Sequence, residues 1–265
     1  MTAERAFRTI VVRDEGPIRT ITLNKPERKN PLGPEMVNEL CWALDDAKDA
    51  PEVRVVVLTG AGDAFSAGGD LKMMGGGPDE HGREALPQRG DYVDLLMRFT
   101  TLGKPTIARV KGVAMGGALG LIAVCDFAIA GESAVFGTPE IKRGLFPMMI
   151  MAVLRRVVSK RRLMEMMLLG EKLDAETAAR IELVSRVATD AFLDEDVGIL
   201  AHKLAAQSPT AMRMGLAAWH AQADRDLVSS LPYLRDQLGA ILGTEDAREG
   251  LTAFVQKREP VWTGR

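Results

Sequence analysis

The stretch Val53-Arg54-Val55-Val56-Val57-Leu58-Thr59, ending on Gly60-Ala61-Gly62-Asp63, is a β-branched and nearly continuous apolar run that stops at glycine. A half-exposed strand alternates apolar with polar residues, so a run without alternation is the pattern of a strand covered on both faces. A buried strand therefore feeds a glycine-rich loop. The same order recurs downstream: Pro105 to Val110 is a second buried strand, Gly112 to Gly117 a second glycine-rich turn, and a helix follows to about Val124. Upstream, Thr9 to Val12 and Ile18 to Leu23 read as a hairpin turned at Asp14-Glu15-Gly16-Pro17. Pro34 suits a first helical turn, and Val37, Leu40, Cys41, Leu44 and Ala47 recur at helical spacing, which predicts an amphipathic helix over Pro34 to Lys48.

A further helix is predicted over Tyr92 to Thr101, and short strands over Asp126 to Ala130 and Ala134 to Phe136. From Met148 onward everything reads as helix, broken at Gly170, Pro209 and Gly243. Strands in the first half and helices in the second make an α/β chain with a β-rich core and a trailing helical layer. The polar, glycine-rich stretch Gly75 to Gly90 is the candidate long loop, a length that is either functional or mobile.

Composition narrows the function classes. The 265 residues carry 34 Lys+Arg against 36 Asp+Glu, a formal net charge of −2, which disfavours nucleic acid or an anionic membrane as main partner. At 46% hydrophobic and 26% charged residues the chain can bury a sizeable core. Its longest charge-free stretch, Gly112 to Cys125, is too short to span a bilayer. Glu4, Arg5 and Arg8 interrupt any apolar leader, and Cys41 and Cys125 form no disulfide framework, so the expected location is cytoplasmic with reduced thiols.

Two turns could carry chemistry. In Ala64-Phe65-Ser66-Ala67-Gly68-Gly69-Asp70-Leu71-Lys72 and in Val113-Ala114-Met115-Gly116-Gly117-Ala118, small residues leave backbone N–H groups uncovered for a ligand oxygen. Glycine at strand ends also simply permits tight turns, and spacing alone does not name a reaction. His81, His202 and His220 lack metal-ligand spacing, so no metal is expected; His81, with Asp79, Glu80 and Glu84, could lend an acid or base from the long loop. No Gly-x-Ser-x-Gly elbow supports serine nucleophile chemistry.

Taken in order, the motifs resemble the enoyl-CoA hydratase/isomerase (crotonase) family over nearly the whole chain. They are Leu23-Asn24-Lys25-Pro26 with Asn30, Val55 to Gly60, the Phe65 to Lys72 turn, Lys104-Pro105-Thr106-Ile107-Ala108, Val110 to Gly117, Cys125-Asp126, Phe136-Gly137-Thr138-Pro139-Glu140, and Glu249 to Phe254 with Lys257-Arg258. The resemblance implies a superhelix of ββα units forming two nearly perpendicular sheets, with a spiral core over 1–200 and a C-terminal helical region over 201–265 that assembles homotrimers or hexamers. It implies an acyl-CoA substrate, which brings its own CoA, so no separate cofactor is expected. The thioester oxygen would accept the amides of Gly69 and Gly117. Charge developing on that oxygen is what preorganised amides stabilise, each donor being worth roughly 3–4 kcal/mol.

The carboxylates discriminate within the family. Hydratases use two glutamates. Glu140, behind Pro139, matches the second, whereas Gly120 stands where the first would be. One carboxylate suits a 1,3-proton shift, so the pattern leans towards double-bond isomerisation; hydration with one glutamate, decarboxylation, C–C cleavage, dehalogenation or a silent CoA-binding protein stay open. Met148-Met149-Ile150-Met151 stands where many hydratases have a glycine-rich turn, and either lines an acyl pocket or packs a core helix. By resemblance, Lys25, Arg28, Lys29 and Lys257 would face the nucleotide end of CoA, with Ala67, Asp70 and Leu71 along the adenine and pantetheine path; the alternative for the basic residues is a solvated face.

Overall fold

The computed structural model describes residues 6–70 and 86–265. Among these, ten strands form two sheets. The first has the order β1-β2-β3-β5-β7-β10, with β1 (Ile10–Glu15), β2 (Ile18–Leu23), β3 (Val55–Gly60), β5 (Thr106–Val110), β7 (Phe127–Gly131) and β10 (Arg186–Ala188). Only the β1–β2 hairpin is antiparallel in it. The second has the order β4-β6-β8-β9, with β4 (Ala64–Ser66), β6 (Val113–Met115) and β8 (Val135–Gly137) parallel and β9 (Lys172–Asp174) antiparallel to β8. Each successive pair, β3–β4, β5–β6 and β7–β8, thus puts one strand in each sheet. That repeat is the ββ step of the superhelix.

The unbroken apolar run of β3 has a direct cause. Val56 and Leu58 belong to the main core, beneath helix α1 (Pro34–Asp49). Val55 and Val57 face the other way into a second cluster, where helix α7 (Leu193–Ala205) contributes Leu193, Val197 and Ala201 at four-residue spacing. Both faces are covered, as the sequence pattern requires. Helix α7 runs through residue 200, and α8 (Pro209–Gln222), α9 (Leu227–Leu242) and α10 (Glu245–Gln256) follow it. No helix among the described residues is long and apolar enough to cross a membrane.

The corner between β5 and β6 needs glycine. Gly112 has φ +62°, and a Cβ there would lie 1.8 Å from the Asp63 carbonyl oxygen, so any side chain would have to displace the backbone entering β4. Lys104 closes the C-terminal end of α1 by donating from Nζ to the carbonyls of Ala47 and Ala50.

Two expectations need correction. The C-terminal half is not all helix, since β9 and β10 interrupt it. Each has three residues, too few for a period to show, and their residues are mostly exposed or half-exposed. The first strand extends through Arg13-Asp14-Glu15, which sit exposed on an edge strand, so the turn shrinks to Gly16-Pro17. The long loop Gly75 to Gly90, the side chain of Leu71 and that of His81 lie wholly or mostly outside the described residues.

Asn30 joins the hairpin exit to the second sheet. Fully buried and at φ +53°, it donates from Nδ2 to the carbonyls of Ala61, Ala64 and Phe65, and its Oδ1 accepts the Lys25 amide at 2.9 Å. Its carbonyl accepts the Ser66 hydroxyl at 2.7 Å. Asn30→Ala should therefore cost about 2–4 kcal/mol in urea unfolding, because it strands buried carbonyls. Asn30→Asp should cost more at neutral pH, where a carboxylate would face three carbonyl oxygens.

Candidate active site

Parallel strands β4, β6 and β8 lie side by side and run in one direction, so the segments leaving their C-terminal ends emerge together. Those segments are Gly68-Gly69, Gly116-Gly117 and Thr138-Pro139-Glu140. The β6–β8 register pairs Met115 with Gly137, and the Gly116 amide donates to the Gly137 carbonyl at 2.9 Å. The first turn is held by its own chain: the Gly68 amide donates to Ser66 Oγ, the Leu32 amide to the Gly68 carbonyl at 2.8 Å, and the Asp70 amide to the Leu32 carbonyl.

This leaves two amides uncommitted. Neither Gly69 N–H nor Gly117 N–H has a hydrogen-bond partner among the described residues. They are close, since a Cβ on Gly117 would lie 3.7 Å from the Gly69 nitrogen. Gly68 allows the approach: at φ +88° it sits where a Cβ would come within 2.4 Å of the Met115 carbonyl oxygen. Gly117 also opens helix α3 (Gly117–Val124), so its amide is one of the unsatisfied donors of a helix N-terminus.

Glu140 closes the third side. It sits in a 3-10 turn, Pro139–Arg143, and its Oε1 lies 2.6 Å from where a Cβ on Gly116 would be. Its Oε2 is buried without a hydrogen-bond partner among the described residues. Burial pushes the carboxyl above its ordinary range, with a backbone hydrogen bond and Arg143 opposing more weakly. A half-buried carboxyl with one bare oxygen, beside two bare amides, is a group free to exchange a proton with a ligand.

Sequence reasoning missed Tyr92. It is the first residue of helix α2 (Tyr92–Thr101), whose start is fixed by a capping box between Asp91 and Asp94. The Tyr92 hydroxyl donates to the Gly117 carbonyl at 2.5 Å. A Cβ on Gly120 would lie 2.3 Å from that hydroxyl oxygen and 2.6 Å from Ile150 Cγ2. The space above Gly120 is therefore filled by Tyr92 and by Ile150 of helix α4 (Met148–Leu154). Burial, reinforced by the Glu140 charge, raises the phenol pKa beyond its usual value. The capping box was legible in the sequence; the direction of the ring was not.

The remaining expected residues divide. Arg28 Nη2 lies 2.8 Å from Asp70 Oδ2, tying the 3-10 turn Pro26–Arg28 to the Gly69 turn. Lys25 lies 3.7 Å from Glu35, and exposed Lys29 ends that 3-10 turn, its carbonyl accepting the Ala67 amide at 2.7 Å. Ala67 is exposed beside Gly68. Lys257 is exposed at the end of α10, which packs on α8 and α9. In α4 the buried side chains are Ile150 and Leu154, while Met148, Met149 and Met151 are exposed, so these methionines do not pack a core helix. Burial raises both thiols, Cys41 to about 11, which leaves them unreactive. No cluster of metal-ligating side chains occurs among the described residues.

A family model described as enoyl-CoA hydratase/isomerase matches residues 13–265. The chain belongs to the enoyl-CoA hydratase/isomerase family. It is 37% identical over 256 residues to a Rhizobium meliloti protein named "Probable enoyl-CoA hydratase", covering 96% of this chain and 97% of that one. The enoyl-CoA hydratase of Mycobacterium smegmatis superposes with TM-score 0.88 at 33% identity, over 96% of this chain and 99% of that one. Human enoyl Coenzyme A hydratase domain-containing protein 3 gives 0.88 at 31% identity, over 96% and 100%. As a family member the chain has the crotonase fold and is an enzyme of acyl-CoA chemistry.

The bare Glu140 oxygen has a consequence for stability. A carboxyl whose folded pKa is raised favours the fold most below its unfolded pKa, and that contribution is lost as pH rises through the folded value. Glu140→Gln should therefore melt at or above the wild-type temperature at pH 7, with the gap narrowing as pH falls through the raised folded value and closed below the ordinary value of 4.5. Scanning calorimetry across pH 4–8 checks it.

Proposed function

We propose that the chain hydrates 2-enoyl-CoA thioesters, with the Gly69 and Gly117 amides receiving the thioester oxygen and Glu140 moving the proton. The observation that supports this reading is the meeting of two uncommitted amides and one bare carboxylate oxygen at the ends of three adjacent strands. As water oxygen bonds to Cβ, Glu140 takes one water proton and the electron pair of the double bond moves through Cα onto the thioester oxygen. The enolate then collapses as Glu140 returns the proton to Cα, so one carboxylate serves both halves of the addition.

The expected lean towards isomerisation rests on Gly120, with the Met148 to Met151 stretch pointing the same way, and the hydratase names of the relatives do not support that preference. It stays as a second reading, in which Glu140 removes a proton from Cα of a 3-enoyl-CoA and returns it to Cγ. For the nucleotide end of CoA, Lys25, Lys29, Ala67 and Leu71 keep their proposed places, with Arg28 and Asp70 as a linked pair and Lys257 reaching CoA from the last helix. Assembly as a trimer or hexamer is supported by the apolar side chains exposed on α9 and α10, among them Val228 and Phe254, each 83% exposed.

Product analysis in ¹⁸O-water tests the reaction. A 2-enoyl-CoA should gain one heavy-oxygen hydroxyl, and Glu140→Gln should slow this by about 10³-fold or more. A 3-enoyl-CoA converted to its conjugated isomer without label uptake would replace hydration by isomerisation. Gly117→Ala adds a carbon at ordinary contact distances, 3.4 Å from Leu32 and 3.7 Å from the Gly69 nitrogen. It should leave the melting temperature nearly unchanged and lower kcat/KM by roughly 10²-fold, because the methyl crowds the oxygen-binding amides.

A further inference from the structure

We propose that the Tyr92 hydroxyl, which fills the space above Gly120 together with Ile150, is the second acceptor of the hydration step and holds the attacking water against Glu140. This rests on the enolate reading above and assigns the water's place within it.

A water poised for attack has two protons to direct, and Glu140 takes one of them. The other needs a second acceptor. Tyr92 supplies an oxygen whose single proton is already committed to the Gly117 carbonyl at 2.5 Å, so what it still offers is lone pairs. That oxygen is 3.7 Å from where a Gly117 Cβ would lie, a point itself 3.7 Å from the Gly69 nitrogen, so the hydroxyl borders the two amides. It also senses the Glu140 charge, and burial keeps the phenol protonated throughout the working pH range. Tyr92 is thus a fixed neutral acceptor and not a second base. The balance of the step is unchanged: the O–H bond facing Glu140 breaks, the C–O bond to Cβ forms, and the proton facing Tyr92 stays on the new hydroxyl.

Proton exchange at Cα separates this role from a purely structural one. Exchange of a saturated acyl-CoA in deuterium oxide uses Glu140 and the two amides but consumes no water. Tyr92→Phe should lower kcat for hydration about tenfold or more, with KM within about threefold and the exchange rate within about threefold of wild type. Equal loss of hydration and exchange would overturn the proposal, because Tyr92 would then only hold the first turn of α3. So would unchanged hydration, or a wild-type enzyme that exchanges without hydrating, which leaves the enolate reading standing. A wild-type enzyme that neither exchanges nor hydrates would remove the enolate reading and this proposal together.

Discussion

The parallel pairing of β4, β6 and β8 is the constraint on which the site depends. Neighbouring strands lie about 4.8 Å apart, so groups leaving three consecutive C-terminal ends fall within about 10 Å of one another without any long-range search. The six-stranded sheet serves this arrangement by delivering each strand of the smaller sheet from a buried partner, β4 from β3, β6 from β5 and β8 from β7. Glycine corners make the delivery sharp, and Gly112 does so with its backbone almost against the Asp63 carbonyl. The chemistry is thus placed by backbone hydrogen bonds, which are the least variable part of the molecule.

Around that frame, polar side chains act as clasps. Asn30 satisfies three carbonyls at the entry to β4, and the same loop presents Lys29 and Arg28 beside the Gly69 turn. A buried amide serving several backbone oxygens gains little over water bond by bond but is costly to remove, because no solvent can replace it. The position of the candidate CoA-facing loop relative to the uncommitted amides therefore follows from one asparagine.

Much of this was legible in the sequence because it is periodic or made of glycine. The unbroken run of β3, the apolar spacing of α1 and the two glycine turns each have a local cause, and the structure brings Gly69, Gly117 and Glu140 to one place. What was not legible depends on side chains meeting across long separations. Gly120 reads as a missing carboxylate, yet Tyr92 and Ile150, remote from it in the chain, fill its space. Three-residue strands such as β9 leave no period to read, and the sequence gives no sign that the methionines of α4 turn outward while Ile150 turns in.

The filled space above Gly120 also restricts how this chain can change. Any side chain there must displace a phenol already bonded to the backbone and a methyl group already in the core, so an exchange at this position forces both to shift. Larger residues become acceptable only after positions 92 and 150 have given way, and those two are held by different helices. One-carboxylate and two-carboxylate versions of such a site accordingly differ by coupled adjustments at positions 92, 120 and 150.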